Sequence, residues 1–196
     1  VHEETNEDMM LLTGAESNDV YRSVFSIFKS RSIWLVTNLF ATIVAASVVG
    51  EFQDIIAQLS ILAVLMPIVA SMGGTTGQQT LAVVVRSLAT KELNSRNALR
   101  MIGKEFMVGL CNGLLFAVMI GIAVRIWFPG QEMISYIIAL AMLCNLTVAS
   151  LAGILIPLTI NRLKIDPAIA SGVFLIACTD SGGYFIFLGL AKLLLF

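Results

Sequence analysis

Five apolar runs, each long enough to cross a lipid bilayer, constrain the fold of this chain more than any other feature of its sequence. A helix rising about 1.5 Å per residue needs about 20 residues to cross a hydrocarbon core of about 30 Å. Such runs lie at residues 33–50, 55–74, 106–128, 133–160 and 168–196. Lipid offers no partner to backbone polar groups, so each run is predicted to form a helix. The fold is therefore predicted to be all-α, a polytopic membrane protein with five transmembrane helices in each subunit.

The composition agrees with a membrane protein and argues against several other classes. Hydrophobic residues make up 58% of the chain and charged residues 13%, whereas soluble domains are about half apolar. A formal net charge of -1 leaves no basic face for nucleic acid. His2 is the single histidine, and no histidine, cysteine or serine constellation offers a nucleophile with its base. The chain is therefore not predicted to be an enzyme.

The basic residues predict how the chain is oriented in the membrane. Ten of the twelve Lys and Arg lie before the first run, between the second and third, or between the fourth and fifth. Since basic segments stay on the cytoplasmic side, the N-terminus is predicted to be cytoplasmic and the C-terminus external, in the cell (inner) membrane. Residues 1–32 are predicted to form a cytoplasmic segment, acidic and amphipathic, before a transmembrane pore domain of residues 33–196.

An aspartate interrupts the last apolar run, in the stretch LIACTDSGGYFIF. Asp180 lies about 18 Å along that predicted helix, which is near the middle of the membrane. A charged side chain at this depth costs about 2.5 to 3.5 kcal/mol, so it is normally found facing a cavity or a partner. No basic residue is expected at the same depth. Asp180 is predicted to be a cation or proton site; the alternative is a structural aspartate that holds helices together.

The second run contains polar and helix-breaking residues in the sequence MPIVASMGGTTGQQTLAVVVR. Pro67 removes a helical hydrogen bond, and Gly73, Gly74 and Gly77 are expected to loosen the helix and free carbonyls for water or an ion. The hydroxyl and amide side chains of this stretch are expected to line a pathway or its mouth; these are Thr75, Thr76, Gln78 and Gln79. The alternative is an ordinary cytoplasmic helix end with a glycine cap.

Several motifs in the same order resemble the MgtE family of magnesium channels and transporters. The stretch at residues 66–90 is similar to the family signature, a proline followed by GG-N-x-G-x-Q and an arginine-bearing helix, with Thr75 in place of the usual asparagine. The resemblance continues in KEFMVGLCNGLL, LKIDPAIASGVF and TDSGGYFIFLGLA, where Ser181 and Gly182 replace bulkier apolar residues. It covers the whole chain. The family's cytoplasmic N-domain and paired CBS domains are not found, so the chain is expected to be an isolated pore domain, as a fragment or a short relative.

The resemblance implies a homodimer with one pore on its two-fold axis, lined by the second and fifth spans. Two copies of Asp180 would offer a charge of -2 to a hydrated Mg²⁺, and backbone carbonyls near Ile176 would hydrogen-bond its waters. Without the ion, two close carboxylates would share a proton, so metal and proton are expected to compete. The residues then expected to line the pore are Pro67, Gly73, Gly74, Thr75, Gly77, Gln78, Thr179 and Gly183.

Regulatory Mg²⁺ sites are a second implication of the resemblance. Glu4, Glu7 and Asp8 share a helical face, and Asp166 opens the D-P-A turn. In the family such carboxylates tie the N-terminal helix to the pore mouth and close it when internal Mg²⁺ is high. The alternative is a solvated acidic helix start, since surface charges usually contribute little.

Two further functions stay open from the residues alone. A proton-coupled secondary transporter of a divalent cation would also use a lone membrane carboxylate, and a non-conducting structural membrane subunit would need it only for assembly. Dependence of flux on a proton gradient separates the first from a channel. The order of selectivity among Mg²⁺, Mn²⁺, Co²⁺, Zn²⁺ and Ca²⁺ does not follow from the sequence.

Overall fold

A computed structural model describes residues 21–93 and 97–195 of the chain. Its helices are α1 (Val24–Gly50), α2 (Gln53–Gln58), α3 (Ile61–Ala89), α4 (Ala98–Trp127), α5 (Glu132–Arg162) and α6 (Pro167–Leu195). All except the short α2 are long and apolar enough to cross a membrane. The described residues form no strand. The predicted all-α fold with five transmembrane helices is confirmed.

The helices extend beyond the apolar runs that predicted them. Ser23 caps the start of α1, its hydroxyl accepting a hydrogen bond from the amide of Ser26. The helix α1 is continuous from Val24 to Gly50, so it crosses the boundary at residue 32 that was predicted between the cytoplasmic segment and the pore domain. The second membrane helix starts later than the apolar run that predicted it. Ile55, the first residue of that run, belongs to the short α2, and the helical conformation ends at Leu59, where ψ is 80°. The membrane helix then starts at Ile61.

The helix α3 is continuous through its proline and glycines. Pro67 lies inside the helix, which carries on for sixteen residues beyond Gly73 and ends at Ala89. The loosening expected at Pro67 and the glycines does not interrupt the helix, and the alternative of a helix end at the glycines is wrong. The hydroxyl of Thr75 donates to the carbonyl of Ser71 at 2.8 Å, so a polar side chain is satisfied by its own helix.

The helices α4 and α5 pack closely because small residues recur every four positions along α4. Gly109, Gly113, Ala117 and Gly121 form one stripe. A Cβ atom added at Gly113 would lie 2.9 Å from the backbone oxygen of Leu143 in α5. Helices in lipid gain most of their mutual attraction from close contact of this kind, so the stripe fixes the α4–α5 pair.

The helix α5 lies at the centre of the subunit and contacts α3, α4 and α6. Apolar side chains fill the interior toward one end of the bundle, among them Leu62 and Leu65 of α3 and Phe187 of α6. A second apolar cluster, including Leu81 and Leu175, fills the other end. Buried polar side chains also lie inside the bundle: Thr76, Thr80, Ser135, Asn145, Ser150, Ser171 and Thr179.

The helix α1 packs against α6 and buries little of its own surface. Its two buried residues are Ala41 and Ala45, one turn apart, which allows a close approach to the neighbouring helix. The polar side chains of α1 bond to the carbonyl four residues earlier, as Thr37 does to Ile33 at 2.9 Å. They can therefore face lipid without leaving a donor unsatisfied.

Candidate functional site

The carboxylate of Asp180 lies in the middle of α6. Asp180 is the fourteenth of the 29 residues of this helix, so each helix end is about 20 Å away. Its side chain is partly exposed on the surface of the subunit. Among the described residues no hydrogen-bond or ion-pair partner contacts its carboxylate. Two basic side chains near the C-terminal ends of α4 and α6 are engaged elsewhere. Arg125 pairs with Glu132 at 2.8 Å, and the Lys192 ammonium lies 5.9 Å from the centre of the Phe52 ring.

One face of α3 carries exposed polar residues at the spacing of a single helical stripe. We call Pro67, Ser71, Thr75 and Gln78 the polar stripe; all four are exposed in the subunit. Gly74, which lies within the same stripe, is partly buried. The Ser71 hydroxyl and the Gln78 amide have no hydrogen-bond partner among the described residues, and lipid offers none, so this face requires water or a protein surface.

Close contacts between α3 and α6 bring Asp180 to the level of the polar stripe. A Cβ atom added at Gly77 would lie 2.9 Å from a methyl group of Leu175, and one at Gly74 would lie 4.0 Å from the Thr179 hydroxyl. The two helices therefore run antiparallel, with Thr179 opposite Gly74. Asp180 is the next residue along α6, so its carboxylate lies at the depth of Gly74.

The structure places four of the predicted pore-lining residues inside the subunit. Gly73, Gly77, Thr179 and Gly183 are buried, and the three glycines contact neighbouring helices. A Cβ atom at Gly73 would lie 2.5 Å from Nδ2 of Asn145, and one at Gly183 would lie 3.2 Å from Oδ1 of the same side chain. Their lack of a side chain serves helix packing, which differs from the predicted role in a pore wall.

Asn145 is the side chain around which α3, α5 and α6 meet. It is 1% exposed, and its Nδ2 donates to the carbonyl of Val69 in α3 at 2.7 Å. Its amide also lies between Gly73 of α3 and Gly183 of α6. A buried amide with a long-range hydrogen bond fixes how helices pack, so Asn145 sets the spacing between the two helices that carry the polar stripe and Asp180.

The carbonyl of Ile176 is engaged within its own helix. The Thr179 hydroxyl lies 3.0 Å from the Leu175 oxygen and 3.2 Å from the Ile176 oxygen, so it donates between the two. A carbonyl oxygen has two lone pairs, so this contact leaves the predicted role of the Ile176 carbonyl toward an ion's water as a prediction. A Cβ atom added at Gly182 would have no neighbour within 4 Å among the described residues. The subunit surface beside Asp180 is therefore open and is not enclosed by other side chains.

The predicted regulatory residues separate into one that is described and three that are not. Asp166 is exposed at the start of α6, where its Oδ1 accepts a hydrogen bond from the Ala168 amide at 2.9 Å. It lines a cavity of about 180 Å³ between the ends of α3 and α5 and the start of α6. Glu4, Glu7 and Asp8 lie outside the described residues.

Sequence reasoning missed Asn145 and Glu105, which both lie in polar contacts between helices. Asn145 lies within the fourth apolar run, and its hydrogen bond to another helix was not predicted. A single amide in such a run could have indicated a buried polar contact, as the charge of Asp180 did. The third apolar run begins at residue 106, so the sequence places Glu105 just outside the predicted span. In the structure α4 begins earlier, at Ala98. The Glu105 carboxylate therefore belongs to a membrane helix, where it accepts a hydrogen bond from Thr80 at 2.9 Å.

The fold and the site define the chain as a multi-pass helical membrane protein with an ionisable group at mid-membrane depth. The sequence profile of the MgtE family, described as "Divalent cation transporter", matches residues 66–190. The match includes the whole of the polar stripe and Asp180, and it extends over more than half of the chain. The chain belongs to the MgtE family, a family of transporters rather than of enzymes.

Three curated proteins, each named "Magnesium transporter MgtE", are similar to this chain. That of Enterococcus faecalis is 34% identical over 98% of this chain and 42% of its own length. That of Bacillus subtilis is 35% identical over 81% of this chain and 35% of its own length, and that of Thermus thermophilus is 28% identical over 98% and 43%. The chain thus spans less than half the length of these relatives.

Proposed function

We propose that this chain forms the ion-conducting part of a magnesium transporter and passes hydrated Mg²⁺ through a pore between two subunits. The observation that carries the proposal is the Asp180 carboxylate, which lies at mid-helix without an ion-pair partner among the described residues and beside the polar stripe. The relatives' name, "Magnesium transporter MgtE", supports Mg²⁺ as the cargo.

A second copy of the chain is the surface that best covers the polar stripe. Ser71 and Gln78 are exposed on a helix long enough to span the membrane, and lipid would not solvate their side chains. Two stripes facing each other across a two-fold axis would enclose a water-filled path. The pore-lining set is then Pro67, Ser71, Gly74, Thr75, Gln78 and Asp180, while the buried glycines hold the helices in place.

The chemistry of this path suits a divalent cation that keeps its water. Mg²⁺ gives up its hydration shell reluctantly and is usually bound through one or two carboxylates. Two symmetry-related Asp180 carboxylates would supply a charge of -2, and the stripe would supply hydroxyl and amide oxygens for the ion's waters. Because a water-filled path with low-dielectric walls focuses the field of the carboxylates, their attraction for a dication is stronger than it would be in bulk water.

The orientation proposed for the chain places the N-terminus in the cytoplasm and the C-terminus outside, as the distribution of basic residues favours. Asp166 and its cavity of about 180 Å³ then lie at the cytoplasmic mouth. We propose that Asp166 binds Mg²⁺ there and favours the closed pore when internal Mg²⁺ is high. Its free carboxylate oxygen supports this, because only Oδ1 is used to cap α6.

Flux measurements on Asp180 variants test the proposed function. Asp180→Ala should abolish Mg²⁺ uptake into liposomes while the protein still inserts and dimerises, because removing a desolvated carboxylate relieves a cost. Asp180→Asn should also fail or discriminate poorly, since the amide keeps the shape but loses the charge. Asp54→Asn removes an exposed carboxylate on α2 and should leave uptake unchanged. Normal Mg²⁺ flux in Asp180→Ala would refute the pore site.

The two alternative functions give different results in the same liposomes. A proton-coupled transporter would change its Mg²⁺ uptake severalfold when a pH gradient is imposed at zero membrane potential, whereas a channel would follow the Mg²⁺ gradient alone. A structural subunit would show no flux in the wild type, and its Asp180→Ala variant would misassemble. Either result would replace the proposed mechanism.

A further inference from the structure

A second polar cavity lies on the side of α3 that faces away from the polar stripe. It has a volume of about 160 Å³ between α3, α4 and α5. Its oxygen-bearing lining residues are Thr76, Gln79, Thr80, Glu105, Asn112 and Ser150. We propose that this cavity is a second Mg²⁺ site within each subunit, separate from the pore, with Glu105 as its charged ligand.

Helix geometry separates the cavity from the pore face. Thr80 follows Gln78 by two residues, which turns it by about 200° around α3. Gln78 is exposed on the polar stripe, whereas Thr80 is buried against α4 and α5. No residue is shared between the two sites, so an ion in the cavity would be held by one subunit alone.

The carboxylate of Glu105 is already held in one orientation. The Thr80 hydroxyl donates to its Oε2 at 2.9 Å. The other carboxylate oxygen, Oε1, receives no hydrogen bond from the residues that the structure describes. A fixed carboxylate with one oxygen available is suited to bind a cation without first losing much side-chain freedom.

Ser150 provides an independent indication of a bound group. It is fully buried, it lines the same cavity, and its hydroxyl has no hydrogen-bond partner within residues 21–93 and 97–195. Buried hydroxyl groups are nearly always hydrogen-bonded. This one is covered by its neighbours, so a partner in the cavity reaches it only when the lining side chains move as the site fills. A water molecule coordinated to a metal ion would supply it.

The size and charge of the cavity favour a partly hydrated Mg²⁺. A volume of about 160 Å³ has room for several water molecules beside the Glu105 carboxylate. Mg²⁺ usually keeps several waters and binds proteins through one or two carboxylates, which matches one carboxylate surrounded by neutral oxygens. The choice of Mg²⁺ rests on the proposed function, whereas the cavity and its ligands do not.

An outer cavity gives access to the site. It has a volume of about 310 Å³, and both Glu105 and Val83 line it as well as the inner cavity. It reaches the α3–α4 connection, where its charged residues are Glu92, Arg100 and Lys104. Together with Glu105 these make two acidic and two basic groups, so the lining of the outer cavity carries both positive and negative charges. In the proposed orientation it opens to the cytoplasm.

Counting bound Mn²⁺ in the purified chain tests the site without measuring flux. Mn²⁺ takes the same oxygen ligands as Mg²⁺ and is detected by electron paramagnetic resonance. In an Asp180→Asn background, which removes the proposed pore ion, adding Glu105→Gln should lower the count by one Mn²⁺ per subunit. Adding Glu51→Gln instead changes an exposed carboxylate outside both cavities and should leave the count unchanged. An equal count with Glu105→Gln would overturn the proposal.

A second variant decides the matter if Glu105→Gln does not fold. Thr80→Val keeps the side-chain shape but removes the hydroxyl that orients Glu105, and it should weaken Mn²⁺ binding at this site about tenfold. Thr90→Val removes a hydroxyl at the exposed end of α3 and serves as its control. Unchanged affinity in a folded Thr80→Val protein would refute the site. Loss of flux in Asp180→Ala is a separate result, so the two proposals can fail independently.

Discussion

A single methyl group at Gly153 should force α3 and α5 apart. A Cβ atom there would lie 2.6 Å from the Gly77 carbonyl oxygen and 2.8 Å from Cβ of Thr80. Since carbon and oxygen normally approach to about 3.3 Å, the two backbones would have to separate by about 0.7 Å. Overpacking of this kind costs about 1 to 3 kcal/mol, and backbone against backbone belongs at the upper end. Replacing a helical glycine by alanine returns about 1 kcal/mol, so Gly153→Ala should lose about 2 kcal/mol.

Thermal unfolding in detergent measures this loss. At about 2 to 4 °C for each kcal/mol in a chain of this size, Gly153→Ala should melt about 4 to 8 °C below the wild type. The matched control is Gly103→Ala in α4, where an added Cβ has no neighbour within 4 Å among the described residues and the gain in helix propensity remains. If Gly153→Ala melted at or above the temperature of the wild type, the close contact between α3 and α5 would be refuted.

Three further changes test other parts of the structure. In a chain without native cysteines, Glu92→Cys should react with an impermeant thiol reagent only after cells are opened, while Gln131→Cys should react in intact cells; the reverse would invert the proposed orientation. Asp166→Asn should weaken inhibition by internal Mg²⁺ severalfold without changing melting, because asparagine also caps helices well; unchanged inhibition would return Asp166 to a capping role alone. Asn145→Ala should lower stability by about 2 kcal/mol through the lost hydrogen bond and the cavity left behind, and an unchanged melting temperature would contradict its role between the helices.

Hydropathy predicted which segments cross the membrane but not where the helices begin and end. The number of spans follows from the length of each apolar run, which lipid thickness dictates. The ends are set by local contacts that hydropathy does not contain. The break at Leu59 separates Ile55 from the span that it was assigned to, and α4 begins at Ala98, before the first apolar residue of its run.

The glycines of the second span show why a pattern predicted the site only in part. Their low helix propensity suggested an opened helix, but Gly73 and Gly77 lie where Asn145 and Leu175 come close. Contact between helices overrides the weak local preference of glycine. The buried face of α3 is determined by contacts with residues more than 70 positions away in the sequence. One example is the hydrogen bond from Asn145 to the Val69 carbonyl. Asp180 was found because its charge is unusual in any arrangement of the helices.

The geometry of α3 also gives the hydroxyl at position 75 a defined orientation. The Thr75 hydroxyl uses its proton on the Ser71 carbonyl, at 2.8 Å, so its lone pairs face outward from the polar stripe. Waters around a cation point their hydrogens away from the ion and need acceptors. In the proposed pore Thr75 would therefore accept from the hydration shell, at about the depth where the Asp180 carboxylates attract the ion.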